Sequence, residues 1–141
     1  MQRAPLLLIL TALALLGCSS KSPDEELLDA TRPLGSWVAT LQWTAEAWTA
    51  NRVPTSFVRN VVDSARDSLD KTREATAKAP IGPGERAPFA VAIAEARAAG
   101  SGLLQAVERA DRAGAMRQAG RLAGLKKRIE ALRRQHGDTS S

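Results

Sequence analysis

The sequence predicts an all-α protein, a small antiparallel bundle of three or four helices. Three observations carry this. Apolar residues recur at spacings of three, four and seven through most of the chain. Between those stretches fall breaks rich in Pro, Gly and Asn. The one run of two-residue alternation, Phe89 to Ala96, is rich in Ala, which favours helix, and a lone strand there has no partner. The chain has 141 residues, with 20 Lys+Arg, 15 Asp+Glu, one His and one Cys. That length suits one domain. A single Cys excludes an intrachain disulfide, and a single His excludes His-rich metal sites and most catalytic triads.

The chain opens with Met1 to Pro5, carrying one charge at Arg3, followed by the eleven apolar residues Leu6 to Leu16. That run is too short for the roughly 20 residues that span a bilayer core. With small residues at its end it reads as an export signal. The segment Leu15-Leu16-Gly17-Cys18 resembles the lipobox of bacterial lipoproteins, and the match covers residues 1 to about 20. The resemblance implies a diacylglyceryl group on the Cys18 thiol, cleavage between Gly17 and Cys18, and a lipid bilayer as partner through acylated Cys18. Ser19 and Ser20, where Asp is absent, are similar to the residues that sort lipoproteins to the outer membrane, facing the periplasm. The competing reading is an ordinary signal peptide with an incidental Cys. Removing residues 1–17 from 141 leaves 124, and loss of Arg3 takes the formal charge from +5 to +4.

The expected organisation is a signal peptide over 1–17, a lipidated Cys and short tether over 18–23, a helical domain over 24–136 and a disordered tail over 137–141. Asp24, Glu25 and Glu26 suit the positive end of a first helix. Leu27, Leu34, Leu41 and Trp48 then repeat every seven residues, with Trp37, Val38 and Ala45 between them. Pro33 predicts a kink, or a short first helix ending near Thr31. Asn51 and Val53-Pro54 read as a stop. A second helix is expected over 55–79, with Val58, Val61, Val62, Ala65, Leu69, Thr72 and Thr76 on its buried face. Residues 80–88, with three Pro and two Gly, read as a loop. Beyond it the buried stripe is Phe89, Ile93, Ala96, Gly100, Leu103, Val107 and Ala110, then Leu122, Leu125, Ile129 and Leu132. The turn between these last two segments is open to three readings: at Gly100–Gly102, at Gly114, or a continuous helix over 88–136.

Residues that could carry chemistry are few. Asp63, Asp67, Asp70 and Glu74 share one helix face, opposite the valines, and are expected to point to water beside Lys71 and Lys78. Trp37 and Trp48 fall on the Leu41 face. Trp43 projects off it, and is the best single candidate for an interaction residue: it could cover the 80–88 loop, meet a partner or sit at a membrane interface. Charge is segregated along the chain. Residues 19–51 carry two basic and five acidic side chains, −3, whereas 115–134 carry seven basic and one acidic, +6. Lys126, Lys127, Arg128, Arg133 and Arg134 of that cluster suit anionic headgroups or an envelope protein, not nucleic acid in an exported chain; a solubilising face or pairing with the acidic first helix is the plainer reading. In a four-helix arrangement the last helix returns toward the anchor and brings Arg133 and Arg134 to the headgroups. His136 near the end of the last helix suits its dipole. No catalytic, metal or cofactor motif is present, so the expected function is a non-enzymatic interaction or structural module. The alternative is a carrier that holds an apolar ligand or lipid within the bundle.

Overall fold

The computed structural model describes residues 21–138. The chain enters its first helix, α1 (Pro23–Ala30), through a capping box. The Ser22 hydroxyl accepts from the Glu25 N–H at 3.2 Å, and the Glu25 carboxylate accepts from the Ser22 N–H at 3.2 Å. The break foreseen near Thr31 is present. Thr31 turns its hydroxyl back to the Leu27 carbonyl at 2.8 Å, and Pro33 sits in the first turn of α2 (Arg32–Thr49), where its missing N–H costs nothing. Helix α2 ends in a Schellman turn, with the Arg52 N–H on the Ala47 carbonyl and the Asn51 N–H on the Trp48 carbonyl. Asn51 takes the left-handed backbone, φ 57°, that this turn requires.

Helix α3 (Thr55–Lys78) matches its expected span and buries Val58, Val62, Ala65, Leu69, Thr72 and Thr76, with Val61 half-buried. The expected loop over 80–88 is a correction: the connection is only 79–82, and α4 (Pro83–Glu108) begins inside the Pro-rich run. Pro83 occupies the first turn, where proline is favoured. Pro88 forfeits one bond, to the carbonyl of Gly84, and Gly84 is exposed to water.

The last turn lies at none of the three expected places. It falls at Arg109–Asp111, between α4 and α5 (Arg112–Asp138). A second Schellman turn forms it: the Asp111 N–H bonds the Ala106 carbonyl at 2.8 Å and the Ala110 N–H the Val107 carbonyl at 3.1 Å. The Asp111 carboxylate then caps α5 by accepting from the Gly114 N–H at 2.8 Å. Gly114 is small for a packing reason: a Cβ there would strike the capping Asp111 carboxylate, whereas one at Gly100 would meet Leu41 at 3.5 Å, an ordinary contact. Ala110, expected on the buried stripe, is exposed and left-handed, φ 54°. Left-handed backbone costs a residue with a Cβ about 1–2 kcal/mol. Ala110→Gly is therefore expected to stabilise the fold by about 0.5–1 kcal/mol, after the larger entropy of unfolded Gly is set against it. A thermal melt should rise by roughly 2–5 °C; a fall would contradict the turn.

Helix α5 packs on α2 and α4, and α3 packs on the same two helices, so the four long helices form a square with α2 and α4 on one diagonal. The short connections make neighbours antiparallel. The main core joins Leu34, Val38, Leu41, Val58, Val62, Leu69, Ile93, Leu103, Leu122 and Ile129, all nearly inaccessible. Trp37 and Trp48 pack half-buried against its edge. A smaller cluster of Leu27, Ala79 and Phe89, with Ile81 and Leu132, closes the end where the chain enters. Buried Thr44, Thr72 and Thr76 each hydrogen-bond the carbonyl four residues back, which satisfies their hydroxyls in an apolar setting. Helix α5 runs two residues past the expected boundary at 136, and 139–141 lie outside the described residues.

Candidate functional site

The basic half of α5 returns beside α1, as four antiparallel arms require. The Arg133 guanidinium donates to the Leu28 carbonyl at 3.0 Å and the Thr31 hydroxyl at 3.1 Å, and so covers the end of α1. Burial draws its proton affinity below the ordinary arginine value, offset in part by nearby Asp29. The expectation that Arg133 reaches outward to headgroups is thereby corrected: its Nη1 donates inside the fold and the side chain is half-buried. Arg133→Met is expected to cost about 1.5–3 kcal/mol, the range for hydrogen bonds made by a charged group. Urea unfolding would measure this, and a cost below about 0.5 kcal/mol would contradict the capping role. His136 packs on Phe89, ring centroids 5.5 Å apart, and its Nδ1 lies 2.7 Å from an Asp24 carboxylate oxygen. The last helix thus ties the start of the first.

The remaining basic residues divide. Arg128 pairs with Glu95 of α4, and this hydrogen bond holds the Glu95 carboxyl below its usual range. Lys126, Lys127 and Arg134 are exposed and make no ion pair among the described side chains. Arg121, one turn before Gly124, belongs with them. On the acidic side, Lys21 reaches Asp29 at 2.5 Å and, through that bond, lowers the carboxyl's proton affinity.

Trp43 stands elsewhere. It is 48% exposed on α2 and meets Phe57 of α3 edge-on, centroids 6.2 Å apart. Phe57 starts α3, so the pair lies toward the end of the bundle opposite Ser22, away from the connection at 79–82 and from Arg134. Trp43 does not cover the Pro-rich segment. Phe57 had no period-based signal of its own, since it falls off the buried stripe of α3. The acidic face of α3 is solvent-exposed at Asp63, Asp67 and Glu74, while Asp70 pairs with Arg97 of α4 at 3.1 Å. The expected Lys71 and Lys78 partners are not used; Arg66 and Arg73 lie nearer, at 3.8 Å from Asp63 and Asp70. Among the described residues no three His, Cys, Asp or Glu side chains come together as a metal-binding group.

Two open grooves run between α4 and α5, of about 570 and 350 Å³. The larger lies against Ala98, Gly120, Arg121 and Gly124, the smaller against Val91, Ala131 and Leu132. By contrast the gap between α2, α3 and α4 around Leu41, Val62 and Gly100 is about 10 Å³, room for one water at most. No described helix is long and apolar enough to cross a membrane. Gly17 and Cys18 lie outside the described residues. No family model, curated protein or solved structure matches this chain.

Proposed function

We propose that the chain is a bacterial envelope lipoprotein, cut between Gly17 and Cys18 and acylated on Cys18. It is held at the periplasmic face of the outer membrane as a non-enzymatic interaction or structural module. The observation that carries this is the Leu15-Leu16-Gly17-Cys18 box followed, four residues on, by a helix cap at Ser22. Four residue spacings reach about 14 Å at most. Such a short tether suits a bundle that works beside the lipid headgroups. The order of the helices fits this placement, since the basic half of α5 lies at the same end as Ser22.

The test is the chemistry of the mature N-terminus. Expression of the full chain in a diderm bacterium with an alkyne-tagged palmitate should give a labelled protein whose first residue, by mass spectrometry, is an acylated Cys18. A mature chain that begins elsewhere without acyl groups would overturn the reading. The carrier reading has less behind it. The interior gap of about 10 Å³ offers no ready cavity, and its only support is the open grooves between α4 and α5.

A further inference from the structure

Along the outward side of α5, Ala113, Gly120, Gly124 and Ala131 follow at spacings of seven, four and seven residues, so they form one low ridge. Nothing stands within 4 Å of where a Cβ would be at Gly120 or Gly124. A row of longer side chains flanks each side of this ridge: Arg117, Arg121 and Arg128 on one, Met116, Lys127 and Arg134 on the other, all exposed. Arg117 and Arg128 are compensated by Asp111 and Glu95. Among the described side chains Arg121, Lys127 and Arg134 have neither an ion pair nor a hydrogen bond.

Those three cations stretch over 13 residues of helix, about 20 Å. A small anion could meet one of them at a time. A flat anionic surface meets all three, because the ridge between the rows is too low to hold that surface away. The short tether says which surface is near. Ser22 lies at the same end as His136 and Arg134, and Cys18 is at most about 14 Å from Ser22.

We propose that α5 lies along an anionic phospholipid surface, with Arg121, Lys127 and Arg134 on the headgroups and Met116, 46% exposed, at the headgroup boundary. This rests on the reading of Cys18 as the anchor. It replaces the end-on docking that Arg133 and Arg134 suggest in the sequence. Arg133 is turned inward, and the end of the bundle sets Lys21, Arg32 and Lys78 against Glu25, Glu26, Asp29 and Glu85, so its charges largely cancel and it gains less from an anionic surface.

The test uses the chain from Ser19 onward, whose core is drawn wholly from residues 27–132. It is mixed with vesicles of phosphatidylglycerol and phosphatidylethanolamine, or of zwitterionic lipid alone, at low salt. Binding is expected to the first and not the second, and to fade with added salt. Each cation near such a surface is worth about fivefold in partitioning, so Arg121→Gln, Lys127→Gln and Arg134→Gln together should weaken binding about 100-fold. The same charge change at exposed Arg52, Lys71 and Arg109 should leave binding within a few-fold of the unaltered chain. Orientation is read from a polarity-sensitive dye on Gly124→Cys, which should shift on vesicle binding, against one on exposed Ala75→Cys of α3, which should not. Equal weakening by the two triple variants, a shift at both dyes, or no preference for anionic vesicles would overturn the proposal. So would binding to a soluble polyanion but not to vesicles. Because this chain begins after Cys18, failure here is separate from failure of acylation.

Discussion

A Cys18→Ser chain is expected to take up no palmitate and to keep residues 1–17, because both the lipid acceptor and the cleavage position depend on that thiol in the lipoprotein reading. The expected result is an unlabelled protein whose polypeptide still includes the leader and carries no acyl groups, against complete labelling of the unaltered chain. The physical basis is steep. Burial of acyl chains contributes about 0.8 kcal/mol per methylene, and stable anchoring takes two chains or one chain with a basic patch. Replacing residues 1–18 by an ordinary cleavable export signal should then leave the bundle dependent on α5 alone. Membrane association should persist at low salt and vanish at high salt. A Cys18→Ser chain processed like the unaltered one would remove the anchor from the account.

Leu122→Ala is expected to be strongly destabilising. Leu122 is fully buried on α5, within the core that α5 shares with α2 and α4. Truncation there removes transfer free energy and leaves a cavity between rigid helices, which costs about 2.7–5 kcal/mol for leucines in comparable cores. Single domains are stable by only about 5–15 kcal/mol, so the variant should lose from about a fifth of its stability to nearly all of it. Urea unfolding should show the midpoint fall with little change in slope. The comparison is Leu132→Ala, where the side chain is half-buried at the edge of the end cluster and the loss should be about 1 kcal/mol. Equal losses at the two positions would contradict the division between core and rim.

Most of the helices are legible in the sequence because burial imposes periodicity. Leu27, Leu34 and Leu41 repeat every seven residues, and the stripe from Val58 to Thr76 predicts the buried face of α3 together with its threonines. The Thr31 break is legible for the same kind of local reason, since Pro33 cannot continue a helix as an ordinary residue does. The Pro-rich segment misleads because proline is a breaker in a helix interior but a favourable first-turn residue, and only its position decides. The α4–α5 turn misleads more deeply. Glycine marks turns when it supplies left-handed backbone, yet Gly100 and Gly114 lie inside helices without it, and the left-handed residue is Ala110.

The candidate site divides along the same line. Its charge is a property of composition: seven cations against one acid over 115–134 can be counted without a fold. Which of those cations are available is a property of packing. Arg133 is spent on the carbonyl of Leu28, Arg128 on Glu95, and Arg121 is left open beside a glycine ridge. The partners of Arg133 and Arg128 come from other helices, at separations that periodicity does not encode. The sequence by itself determined most of the helices, their buried stripes and the segregation of charge, because each of these is written in neighbouring residues. Only the tertiary structure decided where the chain turns between α4 and α5 and which basic side chains face outward. Those depend on contacts between residues far apart in the chain.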